Sequence, residues 1–600
     1  MQTSIREKNL AFLGKLRPDL LELYESGGND GVETVTSKSS LPVFRYRGTA
    51  FHSLYKPEEE AARFVNTLKK FSSDVEKAWV FGMGYAHHLR SLMDNGVELT
   101  VFEPSEEIFR SAVDNADIAD VIERCRIVVG SGFVEAIRNA DLKNGCLLIH
   151  RPYLRFFESE FLKIESAFVV RSYLREKGLR VMLVGPIYGG SETTFRYAAA
   201  ALENLGVDVS LFDASEFAPA YLKLDGVTSN DVHRRQLKSI FSGMLGEAVP
   251  ARADHIKPDL IVVMAQAPLE ISAMQRLKKL KTPIAYWFVE NFHSMKYWEE
   301  IAPMCDYFFT IQRGEFFEKL KAAHVRNVSY LPQAASPAHH RPLRLNAADR
   351  EHYGSNLSFM GAGYPNRQHF FHGLLDYDFK VWGTEWDLNS EVGLRLQNKN
   401  VRLEPGEYIK IFSASRINLN LHSSTMHAGI DPVGDFVNPR VFEIAACGGF
   451  SLVDNRDELP PLMEPGREIE TFSTLAELRE KVEYYLGRQD DRRKIAQAGR
   501  KRVLEDHTFE YRMEELLKII ILNEGDSLGG GAEKKYPRNV VKNMMEEGAD
   551  DAELVKFLEN FNPIKKFNIE KAVEKINGGN GALDRAELIL LMMNQLQIPE

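Results

Sequence analysis

Six hundred residues exceed what one hydrophobic core normally supports and predict about three to four domains. The 44% hydrophobic and 27% charged content is that of an ordinary folded globular protein, and a net charge of -10 excludes a general nucleic-acid binder. No run approaches the roughly 18 apolar residues of a membrane span, and the polar start from Met1 to Lys8 lacks the apolar stretch of a signal peptide, so a cytoplasmic protein is expected. Cys125, Cys146, Cys305 and Cys447 lie far apart in apolar segments and read as reduced core residues.

Residues 1 to about 70 alternate helical charge patterns with short strand-like pieces such as Val43 to Arg47. Lys77 to Gly84 then reads as a buried strand entering a glycine turn, followed by a helix from Tyr85 to about Asn95 and a strand from Glu98 to Glu103. Strand, glycine turn, helix and a strand ending in an acid is the βαβ grammar of a Rossmann-like unit, with strands at Cys125–Val129 and Cys146–His150 extending the sheet. A helical bridge from Glu158 to about Lys177 leads to a second α/β unit opening at Leu179–Gly185, and a third begins at Leu357–Gly361. The Pro-rich stretch Leu331 to Pro342 between them can continue neither helix nor strand and reads as the interdomain hinge. The predicted organisation is a Rossmann-like domain at 1–170, two further Rossmann-like domains at 178–335 and 343–522, a Gly-rich linker at 523–538 and a small helical appendage at 539–600.

Chemistry-bearing residues cluster where strands end. Gly189 and Gly190 lie in the turn between the first strand and helix of the second domain, where the backbone can approach a ligand and Ser191 or Thr193 can cap the helix. Trp287, Glu290 and Asn291 close a later strand of that domain and suit acceptor contact. In the third domain a strand ends in Gly361 and Gly363, and Arg367 follows within one helical turn, able to hold a phosphate with two parallel hydrogen bonds. The alternating strand Ile417 to Leu421 delivers His422 at its carboxyl end, where open α/β sheets place ligands. The loop after it offers no firm metal-ligand spacing, although it contains His427, so no metal is expected. Asn438, Arg440 and Glu443 follow, with Glu443 an acid inside an otherwise apolar helix start that Gly448 and Gly449 end. Its carboxylate can be held ionised by free backbone N–H groups and by Arg440, and aimed at a ribose or sugar hydroxyl.

The stretch from Asn438 to Asp454 resembles the C-terminal signature of CgeB-type glycosyltransferases, a GT-B group of two Rossmann-like domains related to the family-4 type of retaining sugar transferases. The resemblance spans about residues 180 to 520 and implies the GT-B arrangement of the second and third domains. It implies that Glu443 matches a glutamate near the nucleotide ribose, and that Asp435, eight positions earlier, stands where the wider family has a glutamate near the donor sugar. It further implies a diphosphate near Arg367, the donor's diphosphate or the acceptor against the Gly189–Gly190 turn, and retention without a metal. The front segment Phe81 to Leu89 resembles the glycine turn of Maf-type flagellin glycosyltransferases and of some methyltransferases.

These observations point to a bacterial-type glycosyltransferase that moves a sugar from UDP- or another NDP-sugar to an acceptor in the cleft, with a protein such as flagellin as the acceptor suggested by the front unit. Arg440, Asp435 and His422 are the expected catalytic group, and Gly189, Gly190, Gly361, Arg367, Asn438 and Glu443 the expected donor-binding group. Two alternatives stay open: a methyltransferase holding S-adenosylmethionine on Gly82, Gly84 and Glu103, and a GT-B scaffold without turnover. The C-terminal helices leave partner docking and homo-oligomer formation equally open.

Overall fold

A computed structural model describes residues 4–28, 30–68, 75–425, 427–431 and 436–528. Asp435, the expected linker from residue 529 onward and the whole helical appendage therefore lie outside the described residues. The chain divides into two compact units, Met1–Lys177 and the part from Gly178 onward.

The first unit opens with helices and an antiparallel meander of β1 (Val32–Thr36), β2 (Pro42–Tyr46) and β3 (Thr49–Ala50). Its centre is a parallel sheet of β4 (Lys77–Phe81), β5 (Glu98–Glu103), β6 (Arg126–Val129) and β7 (Gly145–Ile149) in the order β6-β5-β4-β7. Ala78 to Phe81 are all buried, as an unbroken apolar run must be when helices cover both faces of a parallel sheet. The bridging helix Leu154–Lys177 starts four residues earlier than the charge pattern suggests and closes this unit.

The second unit contains two parallel sheets. The first lobe has β8 (Arg180–Val184), β9 (Asp208–Phe212), β10 (Leu260–Met264), β11 (Ile284–Phe288), β12 (Tyr307–Thr310) and β13 (Val328–Tyr330) in the order β13-β12-β11-β10-β8-β9. The second lobe has β14 (Leu357–Met360), β15 (Phe379–Trp382), β16 (Ile417–Asn420), β17 (Ser451–Asp454) and β18 (Glu470–Phe472) in the order β15-β14-β16-β17-β18. In each lobe the strand order reverses once, between β8 and β10 and between β14 and β16. The carboxyl ends of strands beside such a reversal diverge and leave a crevice, the usual ligand position in open α/β sheets.

The connection between the lobes is packed, in contrast to the hinge its prolines suggest: Leu331, Ala334, Ala335 and His340 are fully buried. The chain crosses back beside it. The Ala335 N–H donates to the His507 carbonyl at 2.9 Å, the Phe509 N–H donates to the Ala335 carbonyl at 3.0 Å, and Arg512 Nε donates to the Pro332 carbonyl at 2.9 Å. Helix Phe509–Glu524 thereby lies against the first lobe, with the Phe509 ring 5.4 Å from Tyr197 and 6.2 Å from Trp287. Trp287 is core, its indole N–H donating to the Leu331 carbonyl at 3.0 Å, so it is not an acceptor-contacting side chain. Because Phe509 joins both crossings, Phe509→Ala is expected to cost about 3–5 kcal/mol, read as a fall in the urea midpoint of the full chain; a loss under about 1 kcal/mol would show that the crossings hold without it.

Candidate functional site

The carboxyl ends of the two sheets in the second unit approach one another. Arg402 of the second lobe donates to the Gly189 carbonyl at 3.3 Å and pairs with Glu192 at 3.2 Å, and the Tyr197 and Tyr408 hydroxyls meet at 3.0 Å. In the first lobe, the Gly189–Gly190 turn lies at the β8/β10 reversal, where a side chain at Gly189 would collide with Gln266 while one at Gly190 would meet nothing within 4 Å. Ser191 does not cap the following helix as expected. Its hydroxyl donates to the Ala265 carbonyl at 2.8 Å, and helix Ser191–Asn204 carries no side-chain cap, so its first N–H groups stay available.

Arg367 spans the second lobe's reversal. Its Nε donates to the Leu421 carbonyl beyond β16 at 2.8 Å and its Nη1 to the Ala362 carbonyl beyond β14 at 2.9 Å, while Phe359 and Tyr364 rings flank the guanidinium at 5.1 and 5.2 Å. The fold buries this first-turn arginine. Burial, together with nearby Arg440 and Arg456, lowers its pKa to about 10, so it remains charged at neutral pH. Gly361 and Gly363 have a packing duty here, since a side chain on Gly363 would strike the backbone of Glu385 and Trp386.

His422 stands at the carboxyl end of β16 but is closed off. The Asn438 N–H donates to its Nε2 at 3.0 Å, which leaves the proton on Nδ1 to donate to Asp454 at 2.7 Å. Both ring nitrogens are thus used by the protein, although the strand end that carries His422 is where a ligand is expected. Asp454 also accepts the His422 backbone N–H at 2.9 Å and pairs with Arg456. Burial would raise its pKa, but His422 and Arg456 outweigh that and hold it at about 2. Asn438 exchanges two amide hydrogen bonds of 2.9 Å with Asn420, and its Oδ1 also accepts the Arg440 N–H at 3.1 Å. It organises the turn into helix Arg440–Ala446.

On that helix Arg440 and Glu443 form an ion pair. The arginine keeps 24% of its side chain exposed and the glutamate 4%, so the pair is open to solvent on the guanidinium side only. Arg440 also lies over the Tyr408 ring at 4.8 Å, and Glu443 Oε1 is 3.8 Å from His340 Nε2. Tyr197, Tyr408, His340 and Arg456 are members of this site that carry no motif in the sequence, and Asp454 is marked only as the end of the Asn438–Asp454 stretch. At the end of β11, desolvation raises the Glu290 carboxyl to about 7; burial raises the Tyr364 phenol of the other lobe as well, with smaller contributions from Glu385 and Glu290.

The front unit does not offer the cofactor cradle that its glycine turn suggests. Glu103 is fully buried and accepts hydrogen bonds from the Met83, Gly84 and Ser105 N–H groups and the Tyr153 hydroxyl. Side chains at Gly82 and Gly84 would collide with Tyr153 and His52, so the space a ribose would need is already filled. This arrangement opposes the methyltransferase alternative.

His340 gives the second unit a pH signature. It accepts the Ser336 N–H on Nδ1 at 3.0 Å, and burial lowers its pKa to about 4, against the pull of Glu443. Below the ordinary value near 6.5 the unfolded chain takes up a proton that the folded chain refuses until about pH 4, so stability falls on acidification through that window. Between pH 7 and pH 5 this amounts to about 2 kcal/mol. Urea unfolding of His340→Gln at the two pH values is expected to show a correspondingly smaller difference than the native chain; an unchanged difference would mean that His340 is not held neutral.

Residues 367–518 match a family model described as glycosyl transferase-like. Spore protein CgeB of Bacillus subtilis (strain 168) is 24% identical over 281 residues, covering 43% of this chain and 82% of that protein. An uncharacterized protein of Aquifex aeolicus (strain VF5) is 25% identical over 240 residues, 38% of this chain and 55% of that protein. Among solved structures, sucrose-phosphate synthase from Thermosynechococcus elongatus has a TM-score of 0.40 at 13% identity, covering 57% of this chain and 99% of its own. Anabaena Alr3699/HepE, in complex with UDP and glucose, has a TM-score of 0.41 at 10% identity, covering 57% of this chain and 100% of its own. The region matched by the glycosyl transferase-like family model contains both the Arg367 crevice and the Arg440–Glu443 helix.

Proposed function

We propose that the protein moves a sugar from a nucleotide-sugar donor, UDP- or another NDP-sugar, to an acceptor held between the two lobes of the second unit. The observation that carries this is a charge count at the carboxyl ends of β14, β16 and β17. Arg456 pairs with Asp454 and Arg440 with Glu443, which leaves Arg367 as a buried guanidinium whose hydrogen bonds among the described residues go to carbonyls alone. An unneutralised buried cation is costly unless an anion joins it, and a diphosphate supplies both the charge and the acceptors for a guanidinium fork.

In the reaction the bond from the anomeric carbon to the diphosphate oxygen breaks, a bond from that carbon to an acceptor oxygen forms, and the acceptor proton is released. Arg440 and Arg367 would stabilise the leaving diphosphate, Glu443 would hold the ribose, and the Gly190 end of helix Ser191–Asn204 would face the phosphates or the acceptor. Asp435 is assigned to the sugar by the family resemblance. His422 contributes by fixing Asn438 and, through it, the Arg440 turn. Retention of configuration and independence of metal are part of the proposal, as are a cytoplasmic location and a protein acceptor such as flagellin, the last resting on the front unit's glycine turn. Among the described residues no helix is long and apolar enough to cross a membrane. Glu290, with its carboxyl raised to about 7, suits the acceptor side.

Titration calorimetry with UDP, GDP, CDP and dTDP is expected to show binding of at least one, weakened about tenfold or more in Arg440→Ala and in Glu443→Ala, since each removes a charge-assisted contact worth about 1.5–3 kcal/mol. A folded protein that binds none of them would overturn the assignment. Transfer to acceptor is expected to rise with pH through about 7, as Glu290 loses its proton, and Glu290→Gln is expected to lose that rise. If the variant keeps the native pH profile, the carboxylate plays no part in accepting the proton.

A further inference from the structure

The first unit contains a cluster that the proposed transfer reaction does not use. His52 follows β3, His88 opens helix His87–Asp94, and His150 follows β7, so three separate elements bring imidazoles to the carboxyl end of the parallel sheet. All are buried, with relative exposures of 4%, 2% and 4%. The His88 and His150 rings stack at 4.5 Å and 11°, His52 and His150 at 4.8 Å and 29°, and one nitrogen from each lies within 4.8 Å of the other two.

The hydrogen bonds assign the lone pairs. His88 Nε2 sits 2.9 Å from the Gly82 carbonyl and must carry the proton, which leaves Nδ1 as a bare acceptor. That Nδ1 has no partner, nor has His150 Nδ1, and both are buried. A buried polar atom left unpaired costs about 1–3 kcal/mol, and two of them side by side in one cluster ask for a shared partner. Histidines that bind metals characteristically donate their second ring N–H to a carbonyl or carboxylate, as His88 does to Gly82. His52 accepts the Tyr85 N–H on Nε2 at 3.0 Å. The surrounding groups are Phe44, Phe64 and Tyr153 rings and His87, whose Nε2 is turned to the Pro42 carbonyl at 2.8 Å.

We propose that His88 Nδ1, His150 Nδ1 and one nitrogen of His52 form a binding site for a divalent first-row transition metal of the zinc class. An all-imidazole set suits such ions and not magnesium or calcium, which take oxygen ligands. Zinc–nitrogen bonds of about 2.0–2.1 Å place tetrahedral ligand nitrogens about 3.4 Å apart, so the rings draw together from their 4.8 Å ceiling and His52 exchanges its Tyr85 bond for the metal.

The test is Co²⁺ titration of the chelator-treated full chain, followed by visible absorption, with elemental analysis after Zn²⁺ loading. One equivalent is expected. His88→Gln and His150→Gln are expected to lower affinity by about 100-fold and His52→Gln by less, while His372→Gln, at an exposed histidine, is expected to change nothing. No stoichiometric metal in the native chain, or equal affinity in folded His88→Gln and His150→Gln, overturns the proposal. Should those variants fail to fold, X-ray absorption of the Co²⁺-loaded native chain decides: three imidazole nitrogens support the site, and one or none refutes it. Because this readout involves no nucleotide sugar, its failure leaves the transferase assignment untouched, and the reverse also holds.

Discussion

The buried carboxylate of Asp454 is the contact on which the second lobe's site depends. Placed at the end of β17, it receives the backbone and ring of His422 from the neighbouring strand and the guanidinium of Arg456. An ionised group in the interior is tolerated only when nearly every lone pair is answered, and here three donors answer it. The consequence propagates outward. With Nδ1–H committed to Asp454, His422 presents Nε2 to the Asn438 N–H, Asn438 locks to Asn420, and the turn so fixed sets where Arg440 and Glu443 project.

A second constraint is topological. Each lobe reverses its strand order once, and the residues with the most distinctive chemistry gather at those reversals: Gly189 with Gln266 in the first lobe, Arg367 between Ala362 and Leu421 in the second. The return of helix Phe509–Glu524 to the first lobe packs the connection that its prolines suggest should be loose. Relative motion of the lobes therefore has to work against Phe509, Trp287 and the paired backbone bonds at Ala335.

The first unit shows how one local pattern can serve different ends. Strand, Gly82-Met-Gly84 turn, helix and an acid at the end of β5 is the pattern of a dinucleotide site, yet Glu103 turns inward to bind the turn's own N–H groups and Tyr153 occupies the ligand's place. The glycines are needed for close approach, but what approaches them is the protein itself. Three histidines that look unrelated along the chain meet in the same region.

By itself the sequence determined the parallel α/β architecture, because unbroken apolar runs such as Leu260–Met264 and Ile284–Phe288 can be satisfied only by burial on both faces. It also marked the Arg440–Glu443 helix, because an acid among Phe442, Ile444, Ala445 and Ala446 breaks an apolar pattern without ending it. Tertiary structure alone decided which polar groups are free to meet a ligand. Hydrogen-bond partners such as Asp454 for His422, the Leu421 carbonyl for Arg367 and Tyr153 for Glu103 are separated by 32, 54 and 50 residues. No local periodicity encodes such pairings, since they are set by which strand ends the sheet order brings side by side.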